Sequence, residues 1–139
     1  MIMTKPVYIF PYIDTEAGSF ARPIIPITLK HKHTVTETYG LVDSGSDLTI
    51  FHADFAAVLG VQLENLETIR FSGIKKGGEA SAIGYIFPLE IGIEETFFKT
   101  IVLFSFDIPS SAFGVLGQTG IFDRFTVLFD KANKQLTLT

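Results

Sequence analysis

The chain has 139 residues, 47% of them hydrophobic and 19% charged, against a usual charged share of about 25%. This excludes whole-chain disorder, and the length suits one domain rather than two well-cored ones, so residues 1–139 are read as a single domain. Zero cysteine excludes a disulfide scaffold, a zinc ribbon and thiol catalysis, and a net charge of −4 argues against sequence-independent nucleic-acid binding.

Short apolar runs alternate with turn signals along the chain. Val7 to Phe10 is apolar, but Pro6 and Pro11 flank it and no cationic start precedes it, so no signal peptide is read. No apolar run approaches ~18 residues, so no membrane span is expected and a soluble cytoplasmic domain is the default. Asp14 to Ser19 reads as a loop. Ile24 to Leu29 and Val35 to Val42 alternate about a charged break at Lys30 to His33. Ala53 to Leu59 has helical spacing and stops at Gly60, a good residue to end a helix. Thr68 to Ile74 and Ala82 to Ile93 flank Lys75-Lys76-Gly77-Gly78-Glu79 and read as a long hairpin. Glu94-Glu95 turns into a buried-strand run from Thr100 to Phe106, and Ile108 to Ser111 is a loop. Gln118 to Phe125 fits one or two helical turns. Thr126 to Phe129 and Gln135 to Leu138 form a second hairpin. Many short strands with few helical residues predict an all-β sandwich or barrel.

The chemistry concentrates in Leu41-Val42-Asp43-Ser44-Gly45-Ser46-Asp47-Leu48-Thr49-Ile50-Phe51. An apolar strand delivers Asp43 to a tight loop, Gly45 permits close backbone approach, and a second apolar strand follows. Ser44 is placed to bond a neighbouring backbone, and Ser46 to donate to the Asp43 carboxylate. A plain Asp-Ser-Gly-Ser turn between strands is the competing reading. His31 and His33 lie at i and i+2 and His52 could join them on a metal. A solvated hairpin with scattered histidines is preferred, and no metal or cofactor is expected. Most of the 14 Phe, including Phe97, Phe98, Phe104 and Phe106, are read as core.

The segment around Asp43 resembles the active-site loop of retropepsin-like aspartic proteases, Asp-[Ser/Thr]-Gly-[Ser/Thr/Ala] between apolar runs. Ala56 to Val61 resembles the segment that follows it. Phe71-Ser72-Gly73-Ile74-Lys75-Lys76-Gly77-Gly78 resembles a flap tip, and Phe113-Gly114-Val115-Leu116-Gly117 the second motif, which packs beneath the active-site loop. The order holds over residues ~20–139. One departure is Gln118, where retroviral enzymes usually carry Arg.

The resemblance implies an acid-protease barrel with one or two short helices and a flap hairpin at about 68–93. It implies catalysis by Asp43 with support from Ser44, Gly45 and Ser46, and substrate contacts from Asp47, Gly73, Ile74, Lys75 and Val115. Such chemistry uses two facing carboxylates that share a proton, and this chain has one motif. The second copy must come from another chain, so the expectation is a homodimeric endopeptidase acting on extended polypeptide. Two charges ~4 Å apart cost on the order of 4 kcal/mol at an effective dielectric of about 20. One proton would then stay on the pair over a wide, mildly acidic range. Two rivals keep a similar chain without this chemistry: a peptide-binding or dimerisation module, and a small barrel holding an apolar ligand.

Overall fold

Alternating apolar positions become strands wherever one face has something to cover, and in this chain nearly all do. The computed structural model describes residues 5–15, 20–72 and 81–139. In chain order the elements are β1 (Tyr8–Pro11), β2 (Ile13–Asp14), β3 (Ala21–Arg22), β4 (Ile24–His31), β5 (Thr34–Val42), β6 (Ile50–His52), α1 (Asp54–Leu59), β7 (Thr68–Ser72), β8 (Ser81–Ile93), β9 (Thr96–Ser105), β10 (Gly114–Leu116), α2 (Ile121–Arg124), β11 (Val127–Asp130) and β12 (Gln135–Leu138). The all-β expectation and both short helices are present.

Seven strands form one sheet in the order β4-β5-β10-β6-β9-β8-β7. A further β4–β8 pairing, with Leu29 opposite Ile91, joins β8 back to β4, so six strands close into a ring with β7 appended. Closure explains the apolar excess: the ring encloses Ile25, Ile27, Leu29, Phe51, Leu89, Ile91, Ile93 and Phe104, each at most 2% exposed. A second sheet, β1-β12-β11, joins the two ends of the chain antiparallel, Tyr8 opposite Leu138. Segment Asp14 to Ser19, read as a loop, begins inside a two-residue pairing of β2 with β3.

α1 stops where Gly60 takes φ 75°, a left-handed conformation that costs glycine little. Its first turn has no side-chain cap from Ala53. Instead His52, nearly buried, accepts the Asp54 N–H on Nδ1 at 3.0 Å. His31 packs edge-on against Phe87. Among the described residues no group of three His, Asp or Glu side chains is placed to hold a metal ion. The Phe assignment needs correction: Phe104 is core and Phe98 half-buried, but Phe97 and Phe106 are exposed. Phe97 lies on the outward face at the start of β9, and Phe106 follows the last residue of β9, where the chain has left the strand.

The predicted long hairpin is real but shorter in its pairing. β7 matches only the start of β8, from Thr68 opposite Tyr85 to Ser72 opposite Ser81, and the rest of β8 pairs with β9 and β4. The hairpin tip, with Gly73, Ile74, Lys75 and Lys76, lies outside the described residues.

Candidate active site

β5 and β6 are consecutive in the chain yet not neighbours in the sheet, because β10 lies between them, parallel to β5 and antiparallel to β6. Loop 43–49 must therefore cross over the end of β10. The crossing is tight: a Cβ built on Gly117 would meet the backbone carbonyl oxygens of Leu48 and Ser46, the latter at 2.5 Å. Only glycine fits there. This is the physical reason for the apolar-apolar-Gly pattern Val115-Leu116-Gly117.

Backbone bonds then stitch the two segments together. Asp43 N–H donates to Leu116 O at 3.0 Å, Gln118 N–H to Ser46 O at 2.7 Å and Thr119 N–H to Asp47 O at 3.0 Å. Thr49, 1% exposed, accepts the Gly117 N–H at 3.2 Å and donates to Thr119 O at 2.7 Å. A buried hydroxyl is retained when both its bonding directions are used, as they are here.

Asp43 sits half-buried at the top of β5. Gly45 N–H donates to its Oδ1 at 2.9 Å, and Ser46 N–H closes the turn onto Asp43 O at 3.2 Å. Ser46 does not play the part expected of it. Its hydroxyl donates to Leu48 O at 2.8 Å, so it braces the loop rather than the carboxylate. The physical reason is proximity: a carbonyl two residues on in the same turn is the nearer acceptor. Ser44 is exposed, and its carbonyl accepts from Gln118 Nε2 at 2.7 Å. Asp47 is exposed.

Beside the loop lies an open cleft of about 600 Å³ lined by Asp14, Arg22, Ile24, Leu41, Phe113 and Val115, among others. Val115 is half-buried and paired with both Leu41 and Ile50, which sets it in the cleft wall. The structure thus brings Asp43, Ser44, Gly45, Ser46, Asp47 and Val115 to one end of the barrel. The mostly apolar lining with two charged groups suits an extended chain with a side chain seated in the wall.

Sequence reasoning missed Thr49, Arg22, Asp14 and the bonding role of Gln118. Thr49 had a usable signal, a lone hydroxyl inside the apolar run Leu48 to Phe51, which needs buried partners. Arg22 and Asp14 had none, because the short β2–β3 pairing that places them leaves no periodicity to read.

No protein-family model matches the chain, and no curated protein matches it. Solved structures do. The crystal structure of a retropepsin-like aspartic protease from Rickettsia conorii aligns over 98% of this chain and 96% of its own, with a TM-score of 0.62 and 21% identity. The EIAV protease in complex with the inhibitor HBY-793 aligns over 76% of this chain and 88% of its own, with a TM-score of 0.49 and 20% identity.

Proposed function

Since its fold is retropepsin-like, we propose that this chain is an aspartic endopeptidase, assembled as a homodimer with one Asp43 from each subunit. The observation that carries this reading is the seating of Asp43. It is half-buried two residues along the chain from Leu41, which lines the open cleft, with Oδ1 held by the Gly45 N–H on a loop whose backbone is bonded to residues 116–119.

In the mechanism, the two Asp43 carboxylates share one proton. The ionised one takes a proton from water, and that water attacks the carbonyl carbon of the scissile peptide bond. The protonated one first donates a hydrogen bond to the carbonyl oxygen and later delivers its proton to the leaving nitrogen. The strand-like substrate lies along the cleft past Val115, under the β7–β8 hairpin acting as a lid.

The test is cleavage of a mixed library of unstructured peptides between pH 4 and 7, wild type beside Asp43→Asn, read by mass spectrometry. The expected result is cutting by wild type and a loss of roughly 10³-fold or more in the variant. Equal cutting by both would remove Asp43 from the mechanism. Sedimentation should give about twice 15.3 kDa; a strict monomer at high concentration would remove the dyad. Capture of extended peptides by a dimer that cuts none of them would make the chain a binding module.

A further inference from the structure

The carbonyl oxygens of the active-site loop are held in three different ways. Those of Asp43, Ser46 and Asp47 accept from backbone N–H groups, and that of Leu48 from Ser46 within the loop itself. The Ser44 carbonyl is held by a side chain from a distant segment, Gln118 Nε2 at 2.7 Å. That carbonyl belongs to the same planar peptide unit as the Gly45 N–H, and it is the Gly45 N–H that donates to Asp43 Oδ1. Fixing one end of a rigid plane fixes the other. A donor on the carbonyl oxygen also polarises the peptide and strengthens its N–H as a donor.

We infer that Gln118 is a positioning residue for catalysis: through the Ser44–Gly45 peptide it orients the Asp43 carboxylate. This rests on the aspartic-protease reading and adds to it a residue outside the Asp-Ser-Gly-Ser motif. It also gives meaning to glutamine at this position. A carboxamide supplies a neutral N–H donor at every pH and brings no charge of its own beside a pair that must carry one proton. The ionisable groups nearby are Asp47 on the same loop and Asp14 and Arg22 in the adjoining cleft; β10 and residues 117–120 carry none.

Two variants test this in the dimeric protein. Gln118→Leu removes the donor. Its kcat should fall roughly ten- to a hundredfold with KM little changed, since the displaced group is the reacting carboxylate and not the cleft. In the same variant the Gly45 amide proton, followed by NMR, should move upfield as its bond to Asp43 Oδ1 lengthens. Gln118→Glu keeps size and shape but donates only when protonated. Its kcat relative to wild type should approach unity in acid and fall as pH rises through about 4.3, the ordinary Glu value. Unchanged kcat and an unchanged Gly45 amide resonance in a folded Gln118→Leu dimer would overturn the inference. So would a Gln118→Glu variant whose ratio to wild type does not depend on pH; this near-isosteric change also covers the case in which leucine prevents folding. Should wild type cut no peptide, the protease reading fails by itself, while the Gly45 amide resonance still decides whether Gln118 governs the seating of the carboxylate.

Discussion

The crossing beneath Asp43 and the terminal sheet hold together by opposite means. At the crossing, loop 43–49 and residues 114–120 meet through backbone hydrogen bonds, one buried hydroxyl and a glycine with no room for a methyl group. The β1-β12-β11 sheet has ordinary ladders and a face of Phe10, Leu136 and Leu138 turned inward. Its other face carries Ile9 and Leu128 on either side of Thr137, both well exposed. The first region is defined by direction, the second by area. Directional contacts fix atoms to fractions of an ångström, as the proposed catalysis requires. Apolar burial tolerates adjustment and suits a region whose task is to close the domain.

The sharpest way to break this contrast is Gly117→Ala. Its methyl group faces backbone carbonyls that cannot rotate away, so roughly 4 kcal/mol or more of stability should be lost, read by denaturant unfolding. A variant with wild-type stability would show that the crossing yields, and the distinction would collapse. Leu136→Ala, fully buried in the terminal sheet, should cost about 3 kcal/mol but leave any peptide cleavage unchanged below the melting transition. Lost activity in a folded Leu136→Ala protein would tie the terminal sheet to the site. Thr49→Val sharpens the directional side: nearly the same shape, two bonds gone, and about 1–3 kcal/mol lost because the Gly117 N–H and Thr119 carbonyl stay buried.

The smallest effect lies in the β11–β12 turn. The side-chain amide of Asn133, and then its backbone N–H, hold the Asp130 carboxyl below its ordinary value. A depressed carboxyl contributes stability above its unfolded value, and the contribution is lost as pH falls through the folded one. Asn133→Ala should therefore lower Tm slightly at neutral pH, with the difference shrinking to nothing in strong acid. A difference that grows in acid would refute the assignment.

Strand positions and helix ends were legible because each rests on local chemistry. Alternation sets β4 and β5, Gly60 ends α1, and the Asp130 to Lys134 turn joins β11 to β12. The Asp43 loop was legible too, as a pattern of residue types. What stayed hidden needed distant segments brought together. Ser46 looked like a partner for Asp43, but the nearest acceptor turned out to be Leu48 O. Gln118 read as a departure from a pattern, because nothing in its neighbours says that it reaches Ser44. Phe97 and Phe106 read as core because composition carries no information about which face of β9 Phe97 takes or where β9 ends before Phe106.

The insertion of β10 between β5 and β6 also sets a schedule. A ribosome adds roughly 5–20 residues per second, so Asp43 is made seconds before Gly117 and Gln118, the residues that seat it. Until those emerge, β5 and β6 lack the strand that separates them and Asp43 lacks its support. A nascent chain therefore carries the carboxylate without the means to aim it. On the protease reading, strand order thus adds to the need for a second subunit in keeping the half-made polypeptide from digesting itself or its neighbours during synthesis.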